Sequence, residues 1–186
     1  MKLGLYGWDL QVAAVVRAAR RDGSGVAVAA HAPEGEPLLA GVSIADTWEA
    51  LIDERACDAI LVGGDGWDES RADGVRHLVQ AGRPLLLAQP LTLSMLLAYE
   101  FDMIRADVGG PLLPYLPDRQ HPFVLRLRDA VEGGLAGSGV LGRLESMTLV
   151  RRIPDRSKQA VLTWLARDAD LIRLLIGEPQ RLSTLA

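Results

Sequence analysis

Pro84-Leu85-Leu86-Leu87-Ala88-Gln89-Pro90-Leu91 is the stretch whose reading decides the fold. An unbroken apolar run between prolines predicts a parallel strand covered on both faces, because a half-exposed strand would alternate. Ligands of open α/β sheets bind just beyond the carboxyl ends of such strands, which puts Gln89 where a crevice is expected. Two further apolar runs stand upstream, Val26-Ala27-Val28-Ala29-Ala30 and Ala59-Ile60-Leu61-Val62. A fourth, Lys2-Leu3-Gly4-Leu5-Tyr6-Gly7, lies at the start and closes on glycine.

Helical spacing fills the intervals. Val12, Val15, Val16 and Ala19 predict a helix over residues 10–21, and Ala72, Val75, Leu78 and Val79 another over 68–81 with Gly82 as its stop. Between them, residues 33–37 read as loop. Asp46-Thr47-Trp48-Glu49 has capping-box spacing and opens a short helix that buries Trp48, Leu51 and Ile52. This alternation predicts an α/β fold with a doubly wound parallel sheet and right-handed crossovers. Ser94 then caps a helix over 94–105. Gly109, Gly110, Pro111, Pro114 and Pro117 crowd one short segment, which divides the chain into domains 1–117 and 118–186. In the second part, residues 122–135 and 160–176 read as helices, the latter stopped by Gly177. Residues 144–150 alternate like a half-exposed strand, and 180–186 begin a further strand-like run.

Of the 186 residues, 49% are hydrophobic and 24% charged, enough for an ample core in a globular protein. The net charge of −4 supplies no basic face to displace counterions from a phosphate backbone, so nucleic acid is an unsuited partner. The single Cys57 precludes an internal disulfide framework, suits a reducing compartment and reads as a small core residue. Three histidines (His31, His77, His121) show no metal-ligand spacing. No signal peptide or membrane-length apolar run is read, and the expected location is cytoplasmic.

The order of these signals resembles the Gfo/Idh/MocA family of glucose–fructose oxidoreductase and inositol dehydrogenase type. Leu3-Gly4-Leu5-Tyr6-Gly7 resembles its first strand and turn, and Asp58-Ala59-Ile60-Leu61-Val62-Gly63 its fourth strand. Ala81-Gly82-Arg83-Pro84 through Leu91 resembles the surroundings of its Glu-Lys-Pro motif. Gly142-Arg143-Leu144 resembles the step into its second domain, and the stretch from Asp168 through Ile176 to Pro179 the helix carrying its catalytic His. The resemblance implies a Rossmann-like domain followed by a truncated α+β domain, with NAD or NADP as cofactor and a sugar-like carbonyl as substrate.

The functional positions depart from that pattern. A dinucleotide fingerprint Gly-x-Gly-x-x-Gly lets the backbone approach the pyrophosphate at a helix N-terminus. The corresponding turn is Gly7-Trp8-Asp9-Leu10-Gln11-Val12, where only the first glycine is kept. Asp9 is placed to cap the following helix, which would set a carboxylate in the anion's position. Where an acid would hold the ribose hydroxyls stands His31, and after the fourth strand come Gly63-Gly64-Asp65. The family's Lys becomes Gln89, which cannot titrate. Its His becomes Arg167, which cannot release a proton. Only Asp170 is kept, and it is expected to pair with Arg167 three residues away. Arg119 resembles a substrate-side arginine and is expected to cap a helix or pair with Asp118; His121 is expected to be structural.

Gly7, Trp8, Asp9, His31, Gly63, Gly64, Asp65 and Gln89 are therefore the candidate cofactor-side residues, and Gln89, Arg167 and Asp170 stand at the catalytic positions. Three functions follow from this set. The first is a degenerate family member that keeps the fold, binds a small ligand in the crevice above Gly63 and Gln89, and has lost or impaired hydride transfer. The second is an active NAD(P)-dependent oxidoreductase with a rearranged site using Asp65, His31 or Asp170. The third is a structural partner that forms a homo-oligomer through its second-domain sheet, or else a segment of a longer chain.

Overall fold

In the computed structural model the described residues are 1–33, 35–64, 67–88, 95–135, 137 and 144–178. They fall into two compact units, Met1–Tyr115 and Leu116–Ala186. Gln89, Asp65, the Ser94 cap, the Gly142-Arg143 step and residues 180–186 lie outside the described residues.

The first unit is a six-stranded sheet. β1 (Lys2–Tyr6), β2 (Gly25–Ala30), β3 (Ser43–Ala45), β4 (Ala59–Val62), β5 (Leu85–Ala88) and β6 (Leu112–Tyr115) stand in the order β3-β2-β1-β4-β5-β6, every pair parallel. Helices α1 (Leu10–Arg21), α2 (Glu69–Gln80) and α3 (Met95–Val108) connect them. The chain steps outward from β1 in both directions, so the switch point lies between β1 and β4, where ligands of this architecture bind.

Successive strand residues point to opposite faces, and both faces are covered. Tyr6, Ile60, Val62, Leu85 and Leu87 pack with Val75 and Leu78 of α2 and Phe101 of α3. Leu3, Leu5, Ala29 and Leu61 pack with Val12 and Val16 of α1. Burying each large aliphatic side chain contributes ~1.5–3 kcal/mol, so the sheet is held by its two apolar layers more than by any one bond. Cys57 is fully buried, and a Cβ on Gly4 would come within 2.8 Å of its Sγ.

The structure differs from the sequence reading in several places. The Gly/Pro-rich segment contains β6, paired with β5 from Leu85↔Leu112 to Ala88↔Tyr115. Pro114 is tolerated there because β6 is an edge strand, with one side free of ladder bonds. Gly110 serves a close crossing: a Cβ would lie 2.9 Å from Cα of Gly82. β3 has three residues, too few to show a period. The expected capping-box helix is a 3₁₀ turn, Trp48–Leu51, whose N-cap is Thr47 rather than Asp46. Only Leu51 of its apolar residues is fully buried; Ile52 is exposed.

The second unit contains a 3₁₀ turn (Pro117–Gln120) and two helices, α4 (Pro122–Leu135) and α5 (Lys158–Ile176). Ser157 caps α5, and Gly177 closes it with φ +85°. The expected strand over 144–150 is not formed. Its alternation of residue types has no alternation of burial to match, with Val150 85% exposed. A strand is stable only where a neighbour takes up its backbone groups, and residues 144–150 have no ladder partner among the described residues.

One buried group tests this packing. Tyr6 is wholly buried, its hydroxyl oxygen without a hydrogen-bond partner among the described residues and packed where a Cβ on Gly74 would lie 2.2 Å away. Burial raises the phenol pKa, partly offset by nearby Arg71. The protonated phenol's contribution is therefore whole below about pH 10 and is lost as pH rises through the folded-state value. Tyr6→Phe should match or exceed the parent in neutral urea denaturation, and should remove part of the parent's stability loss above about pH 10. An unchanged alkaline slope would contradict the assignment.

Candidate functional site

The carboxyl ends of β1 and β4 approach closely. Gly7, with φ +82°, turns the chain out of β1 while its N–H donates to the Ala30 carbonyl at 2.8 Å. The Gly63 N–H donates to the Tyr6 carbonyl at 3.0 Å, and a Cβ on Gly63 would sit 2.9 Å from the Trp8 nitrogen. Glycine is required there because two backbones touch. Trp8 is half-buried against the α1-side core.

Asp9 follows at the N-cap of α1 and is only 9% exposed. Its Oδ1 accepts the Val12 N–H at 2.7 Å, and its Oδ2 accepts the Gly64 N–H from the loop after β4. The carboxylate thus satisfies donors from both sides of the switch point, at the end of a helix whose dipole favours negative charge. The first turn of α1 holds no other acidic residue.

A second buried ion was not read from the sequence. Arg71, 8% exposed, reaches back from the first turn of α2 and donates through Nη2 to the carbonyls of Tyr6 (3.0 Å) and Gly63 (3.1 Å). Its guanidinium lies 5.5 Å from the Tyr6 ring and 5.9 Å from Trp67. Nη2 occupies the space beside Gly7 so closely that a Cβ there would fall 1.3 Å away. A signal was present: Arg71 stands one turn before Val75 and two before Val79, on the buried stripe of α2. An arginine on that stripe must be bonded, because burying a bare charge costs far more than one packing contact.

His31, just past β2, is the one non-glycine residue with positive φ (52°) among the described residues. It is exposed, and its ring meets Tyr6 edge-on at 5.2 Å. The switch point therefore brings together Gly7, Trp8, Asp9, Gly63 and Gly64, with His31 at the neighbouring strand end.

Arg167 and Asp170 belong to the second unit, and the pairs expected for them are replaced by others. Arg167 makes a two-pronged contact with Asp118 (Nε–Oδ2 3.0 Å, Nη2–Oδ1 2.9 Å). Asp170 receives Arg119 (Nε–Oδ2 2.9 Å), a bond that raises the arginine's pKa against the opposing effect of burial. Consecutive residues of the 3₁₀ turn thus meet residues one turn apart on α5 with crossed charges, and neither helical pair Arg167–Asp170 nor sequential pair Asp118–Arg119 forms. The fork geometry favours the crossed pairs, since each guanidinium presents two parallel N–H groups to one carboxylate. Beside them Arg151 bonds Asp168, and the guanidinium groups of Arg151 and Arg167 lie 4.5 and 4.8 Å from the Trp164 ring. His121 accepts the Phe123 N–H through Nδ1 at 3.2 Å and so helps start α4. Among the described residues no helix is long and apolar enough to cross a membrane, and no group of His, Cys, Asp or Glu is arranged to hold a metal.

No protein-family profile matches the chain, and neither does any curated protein. Solved structures do match. An NAD-binding protein from Listeria innocua aligns with a TM-score of 0.69 at 16% identity, over 94% of this chain and 54% of that one. A candidate myo-inositol dehydrogenase from Sinorhizobium meliloti 1021 aligns at 0.68 and 16%, over 96% and 56%. Biliverdin reductase from Synechocystis sp. PCC 6803, in complex with biliverdin and NADP+, aligns at 0.65 and 16%, over 97% and 59%. The chain shares the fold of these NAD(P)-binding, Rossmann-type proteins and spans little more than half their length.

Two measurements check these contacts. Asp9→Ala leaves two donors without their acceptor and should cost about 1–3 kcal/mol in urea denaturation, with Asp9→Asn losing less. A neutral Asp9→Ala would mean that water replaces the carboxylate at no cost. In the second unit, a double-mutant cycle on Asp118→Ala and Arg167→Ala should give a coupling of about 0.5–1 kcal/mol, because the pair is partly solvated.

Proposed function

We propose that this chain is a Gfo/Idh/MocA-like protein that keeps the Rossmann-type scaffold and does not carry out dinucleotide-dependent hydride transfer. The observation that carries this reading is the Asp9 carboxylate, bonded to the N–H groups of Val12 and Gly64. In this fold the pyrophosphate of a dinucleotide takes the donors at the first helix N-terminus. The chain's own anion has taken one of them, the Val12 N–H, together with the Gly64 N–H after β4. Two like charges cannot share that position without one losing its bonds. The residues present do not fit the cofactor that the fold suggests.

The catalytic positions support the same reading. Gln89, outside the described residues, is of a residue type that neither carries charge nor titrates. Arg167 is engaged by Asp118 through two parallel N–H groups. Asp170 is engaged by Arg119. Losing a positioned proton shuttle alone costs about 10²–10⁴ in rate. A small uncharged ligand at the β1–β4 switch point remains compatible with this arrangement, since it would not compete with the Asp9 carboxylate for the N–H groups of Val12 and Gly64.

Calorimetric titration of the full chain with NAD+, NADH, NADP+ and NADPH tests the proposal, together with absorbance at 340 nm over a panel of sugars. Neither saturable heat nor consumption of reduced cofactor is expected. Micromolar binding of any of the four would overturn the reading of Asp9, and turnover above background would restore an enzyme with a rearranged site.

A further inference from the structure

Residues 151–156 read Arg-Arg-Ile-Pro-Asp-Arg, a concentration of positive charge in a chain whose net charge is −4. In the second unit Arg151, Arg152 and Arg156 line one open groove of about 520 Å³ together with Ile153, Pro154 and Val161. Among the described residues no acidic residue lines it. Pockets that hold small organic ligands fall in the range of roughly 300–1,000 Å³, and they combine an apolar wall with a few convergent polar groups.

The three arginines are not equivalent. Arg151 is fixed: its Nε bonds Asp168, and its guanidinium lies over the Trp164 ring at 4.5 Å. The nearest approach of its Nη2 to Asp118 is 4.0 Å, too long for a hydrogen bond, so that edge of the fork keeps its donors. Arg152 and Arg156 have no ion pair or side-chain hydrogen bond among the described residues. Asp155, the one acid in the stretch, turns away from them and accepts both the N–H and the hydroxyl of Ser157 at 2.8 Å.

Solvated arginines on a surface are common and need no ligand. Here one guanidinium is immobilised by a carboxylate and an aromatic ring, two uncommitted ones share its groove, and an apolar wall stands beside them. Arg151 is already balanced by Asp168 and Asp118, so the repulsion that an anion would offset is that of Arg152 and Arg156 in the same concavity. The planar fork of arginine matches phosphate oxygens in pairs.

We propose that this groove binds a small organic phosphate monoester, its phosphate against Arg151, Arg152 and Arg156 and its apolar part against Ile153, Pro154 and Val161. The groove is lined by residues of the second unit, and the proposal does not depend on how the dinucleotide question is answered.

Phenyl phosphate, inorganic phosphate and phenol serve as probes for calorimetric titration of the full chain at low ionic strength, where screening is weakest. Saturable one-site binding of phenyl phosphate is expected, about tenfold tighter than inorganic phosphate, with no binding of phenol; tenfold is about 1.4 kcal/mol. Arg152→Ala combined with Arg156→Ala should weaken phenyl phosphate by more than about tenfold. Arg17→Ala combined with Arg21→Ala removes the same charge from exposed positions on α1 and should leave affinity within about twofold. Far-ultraviolet circular dichroism confirms that both double variants fold. The proposal is overturned if phenyl phosphate does not bind, if inorganic phosphate binds equally well, or if the α1 variant loses as much affinity as the groove variant.

Discussion

The Asp9 carboxylate joins two elements that the chain separates by more than fifty residues. It caps α1 and at the same time holds the Gly64 N–H at the exit of β4. Arg71 does the converse for the acceptors, taking the carbonyls of Tyr6 and Gly63. A parallel sheet ends in backbone groups whose ladder has stopped, and a helix begins with N–H groups that have no partner. In a binding protein a ligand or water can satisfy them. Here one buried anion takes donors and one buried cation takes acceptors, on the two sides of the Gly7 turn.

The same economy governs the second unit, with side chains in place of backbone. Asp118 and Arg119 are adjacent on a short turn, and Arg167 and Asp170 are one turn apart on α5. Intrahelical pairing would leave the 3₁₀ turn unattached, at a gain of only ~0.2–0.5 kcal/mol per pair. Crossed pairing ties the turn to the helix through two forks, with the Arg167 guanidinium 4.8 Å from the Trp164 ring. The position that resembles a catalytic histidine thus does structural work in this chain, which residue type alone did not reveal.

Much of the first unit could be read from the sequence because its runs are long enough to carry a period. β1, β2, β4 and β5 are apolar and bounded by turn residues, and α1 and α2 show 3.6-residue spacing over a dozen positions each. β3 and β6 escaped for different reasons: one is three residues long, and the other sits among prolines and glycines whose local signal is a break. The alternation over 144–150 misled because a period-2 pattern specifies a strand only where a neighbour exists to pair with it. At the site, the Asp9 cap follows from local spacing, whereas its bond to Gly64 and the reach of Arg71 to β1 and β4 are long-range and leave no local pattern. A charged residue on an otherwise apolar helical stripe was the one available clue.

Likeness to Rossmann-type proteins at 16% identity shows that this fold is reached by sequences sharing few residues. Within this chain the residues beyond the strand ends still hold the fold, since Asp9 and Arg71 bond across the switch point and Gly63 admits the Gly7–Trp8 backbone. Fold alone transfers no chemistry. The N–H groups of Val12 and Gly64 and the carbonyls of Tyr6 and Gly63 are bonded by the chain's own side chains. Those bonds hold independent of any ligand's concentration, whereas a bound ligand stabilises only in proportion to its saturation.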